Sequence, residues 1–311
     1  MCLKIAYFGL PLAAYLLSRD GHDVRVAVLA PIAAPGRRRL TQRLGAERIL
    51  DAAKIKVALD ATVEAALAED PPDLIVSWFW TRRLPSHWLA HAKLGGIGAH
   101  PSLLPRHRGP NPYFGAIDAG DRDTGVTIHR LTPQYDDGDL IAQRSVPVGE
   151  RDAWQLARAL DPPSLALLRE TVARFGVGRP PSAHPQNHAA ASWAPEPNGD
   201  ELRATWTWPT ERVLRRIRAL APVPGLALDV EGLELCVTRA ERTTEFPSAL
   251  EPGEAAVFGD PPALILRTGD GAVRVERGVL ETGAEPDQVL GRAELARVVG
   301  QHLQRSPGRL G

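Results

Sequence analysis

Short apolar runs alternate with helix-like stretches through the first half of the chain. Leu3–Phe8 is an apolar run closed by Gly9, and Leu10–Leu17 follows with helical spacing. Val24–Leu29 reads as a second strand, an Arg-, Ala- and Leu-rich stretch over 38–53 as a helix, and Asp73–Ser77 as a buried strand set off by Pro71 and Pro72. Gly95–Ala99 and Val126–His129 are further strand candidates, and a helix from Ala153 to about Phe175 closes this half. Apolar strands separated by helices predict a sheet covered on both faces. Residues 176–200 are dense in Gly, Pro, Ala, Asn and His, the composition of a linker. Beyond them a helix over Thr210–Leu220 precedes short runs at Leu226–Val230, Leu233–Thr238, Ala255–Phe258, Leu264–Thr268 and Ala272–Val275. Glycines or prolines bound nearly all of these runs, which predicts a small antiparallel barrel or sheet. The expected class is α/β. A Rossmann-like, mostly parallel sheet with helices on both faces occupies 1–176, a linker 177–205, and a smaller β-rich, barrel-like domain 206–311.

Composition narrows the classes of function. The chain has 311 residues, 44% hydrophobic and 24% charged, enough for two domains with separate cores. Lys plus Arg and Asp plus Glu both number 37. That balance argues against a nucleic-acid partner held mainly through phosphate contacts. Cys2 and Cys236 fit neither a disulfide framework nor a metal-ligand spacing, which makes a reducing cytoplasm the expected location. Residues 3–17 are apolar but interrupted by Lys4 and Pro11 and followed at once by Arg19, Asp20, Asp23 and Arg25. No membrane span is expected there or elsewhere. The Gly9-Leu10-Pro11-Leu12-Ala13-Ala14 turn has one of the three glycines of a dinucleotide fingerprint, so a nicotinamide cofactor is rejected.

The chemistry concentrates in Gly95–Ile141. His100-Pro101-Ser102-Leu103-Leu104-Pro105 directly follows a strand candidate, at the strand end where open α/β sheets build ligand sites. Prolines stiffen that loop. Val126–His129 then leads into the acidic turn Asp136-Asp137-Gly138-Asp139, which can set a carboxylate beside an imidazole. Such a pair is a common acid–base unit, although a histidine after a strand and an Asp-Asp-Gly turn also have ordinary structural uses. Ser102 lacks a nucleophile elbow, so a serine hydrolase is rejected. Trp193, Trp206 and Trp208 read first as core or interface packing residues and second as ligand-stacking residues. His184 and His188 lie four apart in a proline-rich stretch, and no metal site is expected.

His100–Pro105 with Arg106–Pro110 resembles the signature loop of the enzymes that use 10-formyltetrahydrofolate. These include methionyl-tRNA, glycinamide ribonucleotide and sugar N-formyltransferases. Thr124–His129 and Asp136-Asp137-Gly138 resemble the next two blocks of that family. The blocks Gln186…Ala191-Ser192-Trp193-Ala194-Pro195, Arg215–Ala219 and Pro222-Val223-Pro224-Gly225 extend the likeness over about residues 1–300. The resemblance implies 10-formyltetrahydrofolate as formyl donor and a catalytic set of Asn, His and Asp. His100 and Asp136 match the last two; the position of the Asn is Gly98. It further implies a folate site at Trp78, Phe79, Leu84, Leu103, Tyr135, Asp137 and Gly138, with Phe8, Arg108, Asn111 and His129 toward the acceptor. His129 reads equally as a strand residue packing beneath the site. Glycine offers no side-chain donor, and losing one oxyanion donor typically costs ~10²–10³ in rate. The leading expectation is transfer to the amine of a small molecule, such as an amino sugar or a specialised metabolite. A repurposed or non-catalytic relative is second and the methionyl-tRNA enzyme third. The basic run Arg37-Arg38-Arg39 with Arg43 fits either a solvated helix face or a substrate-contacting loop.

Overall fold

Two alternating sets of apolar residues organise the first half. In a computed structural model, which describes residues 2–280, 288–303 and 308–309, the strand β1 (Lys4–Gly9) is buried at every position after its first. Ile5 and Tyr7 enter one hydrophobic cluster with Val76, Trp78, Ile97 and Ile128. Ala6 and Phe8 enter a second with Val26, Val28, Ile75 and Trp88. Both faces of the strand are therefore dry, as the unbroken apolar run requires. In chain order the elements are α1 (Pro11–Arg19), β2 (Asp23–Leu29), α2 (Arg37–Leu44), β3 (Ile49–Asp51), α3 (Ala52–Ile55), α4 (Leu59–Glu69), β4 (Leu74–Trp78), α5 (Ser86–Ala90), β5 (Gly96–His100), α6 (Pro112–Ala119), β6 (Asp123–Arg130), β7 (Leu140–Pro147) and α7 (Ala153–Gly176).

The seven strands run in the order β3-β2-β1-β4-β5-β6-β7. Pairings from β3 through β5 are parallel and β5–β6 is antiparallel. The order reverses between β1 and β4, which places the ligand crevice of such sheets at the carboxyl ends of the central strands. At the Phe8–Gly9 turn Leu10 N–H donates to the Trp78 carbonyl at 3.1 Å, and Pro11, the first helical residue, has no N–H to offer.

The helix expected over 38–53 is broken. Gly45, at φ 90°, ends α2 with its N–H on the Thr41 carbonyl. Ile49–Asp51 then pairs with β2 as the edge strand β3. Pro162 and Pro163 lie inside α7, which continues through them with two backbone bonds fewer.

The chain divides into two compact units. One comprises Met1–Pro112, Thr124–Pro147 and Ala159–Ala194, the other Tyr113–Asp123, Val148–Arg158 and Pro195–Gly311. The stretch read as a linker from 177 is thus no bare tether, since to Ala194 it belongs to the first unit. In the second unit α8 (Thr210–Leu220) precedes a curled antiparallel sheet of β8 (Leu226–Val230), β9 (Leu233–Thr243), β10 (Glu254–Phe258), β11 (Ala263–Arg267), β12 (Ala272–Leu280) and β13 (Gln288–Gly291), followed by α9 (Arg292–Leu303) and β14 (Gly308–Arg309). Glu231 and Gly232, both at positive φ, form the two-residue turn of the β8–β9 hairpin. Among the described residues no helix is long and apolar enough to cross a membrane.

Candidate active site

The carboxyl end of β5 carries His100 into a loop fixed by side-chain hydrogen bonds. Ser102 Oγ donates to the Arg106 carbonyl at 2.6 Å, and Thr127 Oγ1 donates to the Ser102 carbonyl at 2.7 Å. The His100 ring is buried. Its Nε2–H donates to the His107 carbonyl at 2.8 Å, and its Nδ1 stands 3.4 Å from Asp136 Oδ1. With Nε2 donating to a carbonyl, the approach of Nδ1 to a carboxylate is attractive when both ring nitrogens carry protons. Both nitrogens of His100 thus face protein acceptors.

Asp136 sits on the β6–β7 loop at φ 51°, a left-handed conformation that Asp tolerates better than most residues. Gly109 N–H donates to its Oδ2 at 2.9 Å. Gln186 fixes the turn from the other side, its Nε2 donating to the carbonyls of Asp136 at 2.8 Å and Gly138 at 2.7 Å. Gln186 Oε1 accepts from Arg108 Nη2 at 2.6 Å, and Arg108 Nη1 meets Asp137 Oδ1 at 2.8 Å. The segment Ser192–Ala194 lies along the His100 loop. Arg108 N–H donates to the Ser192 carbonyl at 2.9 Å, and Ala194 N–H to the Arg108 carbonyl at 2.7 Å.

His129 lies on β6 directly opposite Gly98 of β5. Its ring is buried, with Nδ1–H on the Arg130 carbonyl at 2.8 Å. Nε2 lies 3.7 Å from Asp136 Oδ1, beyond hydrogen-bonding range. Burial pushes its pKa below the ordinary histidine value, outweighing the opposing pull of Asp136. The ring is therefore neutral, with its lone pair on Nε2. A Cβ built on Gly98 meets Leu131 Cδ2 at 2.9 Å and His129 Nε2 at 3.3 Å.

The other residues expected at the ligand sit as follows. Phe8 is fully buried between the rings of Trp80 and Trp88, at 5.6 and 5.4 Å, so it is a core residue. Leu84 belongs to the same cluster. Trp78 points into the opposite core, its Nε1–H on Ser164 Oγ at 2.9 Å. Arg108 pairs with Asp137 and donates to Gln186, and these contacts brace the loop. Gly138 supplies the carbonyl that Gln186 holds. Phe79 turns at φ 59° with its ring edge-on to Trp78, and Leu103 is half-buried beside Gly125. Tyr135 and Trp193 are both exposed, their rings 6.3 Å apart at the loop that carries Asp136. Asn111 N–H is bonded to the Ala194 carbonyl at the entry to α6. Sequence reasoning missed Gln186 and Ser192 as site-builders. A long amide amid proline, alanine and histidine was the available signal.

Two family models match the chain. "Formyl transferase" covers residues 17–161 and "Formyl transferase, C-terminal domain" residues 199–287. The methionyl-tRNA formyltransferase of Roseiflexus castenholzii is 31% identical over 287 residues, 89% of this chain and 91% of its own. The chain belongs to the formyltransferase family. Among solved structures, HypX from Aquifex aeolicus in complex with tetrahydrofolic acid superposes with a TM-score of 0.67 at 25% identity, over 98% of this formyltransferase. The match spans 48% of HypX, about half its length. An N-formyltransferase from Helicobacter canadensis, in complex with folinic acid and dTDP-3-aminofucose, shares the fold with a TM-score of 0.65 at 15% identity, over 88% of this chain and 99% of its own.

Proposed function

We propose that this formyltransferase moves a formyl group from 10-formyltetrahydrofolate to the primary amine of a small molecule. The observation that carries the reading is the pairing of buried His100, at the carboxyl end of β5, with half-buried Asp136, clamped by Gly109 and Gln186. The formyl donor is consumed and so counts as a substrate. Attack of the amine nitrogen on the formyl carbon puts negative charge on the carbonyl oxygen. The His100 ring, held between the His107 carbonyl and Asp136, is placed to counter the charge of that oxyanion. Collapse breaks the bond to N10. Tyr135 and Trp193 offer exposed π faces beside the pair, which suits a planar donor ring.

The acceptor reading draws on charge. Residues 195–311 carry 14 arginines, no lysine and 18 aspartates and glutamates. An acidic second half is a poor platform for a phosphate backbone. The names of the relatives favour the other reading, methionyl-tRNA, and Arg37–Arg39 on α2 are exposed on the first unit. Labelled formyl transfer, run in parallel on amino sugars, other small amines and methionyl-tRNA, decides the question. Label is expected on a small amine. Label on methionyl-tRNA alone overturns the acceptor assignment, and label on nothing overturns the reaction.

A further inference from the structure

Both ring nitrogens of His100 are turned to protein acceptors, the His107 carbonyl and Asp136, yet formyl transfer needs a group that takes a proton from the attacking amine. Nε2–H of His100 is on a main-chain carbonyl and Nδ1 faces Asp136. Asp136 Oδ2 is held by Gly109 N–H, and Oδ1 faces both imidazoles. His129 has Nδ1–H on the Arg130 carbonyl, so Nε2 carries the lone pair of the neutral ring, and it has no hydrogen bond. What keeps it open is the residue across the strand. A single methyl at position 98 would stand 3.3 Å from that nitrogen and 2.9 Å from Leu131 Cδ2, so even alanine crowds Nε2 and moves the end of Leu131 aside.

We infer that His129, uncovered by Gly98, is the catalytic residue that takes the proton from the attacking amine and returns it to N10 of the donor. The inference rests on the formyl-transfer reading above. The amine nitrogen bonds to the formyl carbon while its proton passes to His129 Nε2. The bond from that carbon to N10 then breaks with its electron pair on N10, and the same proton closes N10. Atoms and charge balance with no further reactant. Asp136 on the β6–β7 loop and His100 at the end of β5 face the ring, and Arg108 acts on it from the loop after β5. Asp136 holds the transient imidazolium in place, while burial makes that imidazolium a strong enough acid to protonate a weakly basic aryl nitrogen. The glycine at 98 is then a component of a two-imidazole site sharing one carboxylate.

The test uses His129→Gln, which keeps an amide of similar reach but cannot take a proton, and Gly98→Ala, which covers Nε2 at an unstrained backbone position. His129→Gln is expected to lower kcat by ~10²–10³ with little change in the KM of the donor. It also abolishes the acid limb of the pH–rate profile, which in the natural protein falls below the ordinary histidine range because the base there stays neutral to lower pH. Gly98→Ala is expected to lower kcat about tenfold or more, with the end of Leu131 displaced and the circular dichroism spectrum unchanged. His129→Gln within threefold of the natural rate, with the acid limb intact, overturns the inference, and so does a gain of rate in Gly98→Ala or Gly98→Asn. Nitrogen-15 NMR of the histidines separates this failure from failure of the formyl-transfer reading. A His129 proton found on Nε2 overturns the His129 assignment by itself, whereas a protein that transfers formyl to no acceptor retires the reaction and the assigned step with it.

Discussion

Gln186 binds two consecutive stretches of the site with one amide. Its NH₂ group satisfies the carbonyls of Asp136 and Gly138, and its oxygen holds Arg108, which in turn holds Asp137. Gln186→Ala leaves those buried carbonyls without a donor, worth about 1–3 kcal/mol of local order. Asp136 is thereby freed to drift from His100. We expect a fall of about tenfold or more in kcat, because misplacement by about an ångström costs that much or more, with far-ultraviolet circular dichroism unchanged. Full activity in Gln186→Ala shows that Asp136 holds its place without the amide. The sequence made His100 and Asp136 legible because polar residues there interrupt apolar strands at their ends. It did not disclose which neighbours spend one another. Arg108 and Asp137 are titratable residues in a promising loop, and only the fold pairs them. Phe8 and Trp78 are large aromatics near strand ends, and the alternation of β1 and β4 turns them into dry cores.

Strands and long helices were readable from pattern, and α8 coincides with its expected limits. The strands β9 and β12 run beyond their apolar cores, to Thr243 and Leu280, because pairing with each other sustains polar positions that periodicity alone reads as turn. Short elements were missed where periodicity is weak. The helix α4 is alanine-rich, and β7 alternates half-buried polar residues. Within α8, Arg216 departs from the pattern of an amphipathic helix by burying a cation. Its guanidinium grips Asp118 at 2.6 and 2.9 Å and donates to the carbonyls of Glu201 and Arg203 at 2.9 and 3.0 Å. Arg216→Met leaves that carboxylate uncompensated and is expected to destabilise the protein by about 3 kcal/mol in chemical denaturation. Adding Asp118→Leu restores part of the loss, because the stranded charge goes with it. An additive double variant shows that the pair contributes nothing as a pair.

At the scale of the whole molecule, charge is balanced in sum but unevenly distributed, with the acidic excess in residues 195–311. An acceptor recognised by contacts to its amine and its immediate substituents should react at a rate nearly independent of salt. Initial rates measured between about 50 and 200 mM salt are expected to change less than threefold, whereas recognition through several phosphates predicts a fall of orders of magnitude. A steep salt dependence with the natural acceptor removes the small-molecule assignment. The division into an α/β half and a curled antiparallel half was visible in the change of pattern near residue 200. The membership of residues 177–194 was not, because proline, alanine and histidine describe a tether whether or not it is nailed down by Gln186 and Ser192.

That fold-back bears on how such enzymes can be recombined. A chimera that exchanges the C-terminal half at Gly176, where the long helix stops, exchanges the amide that seats Asp136 along with it. Cutting after Ala194 leaves the clamp with the half it serves, and the exchange then needs only an aspartate kept at 118 for the incoming counterpart of Arg216 to grip.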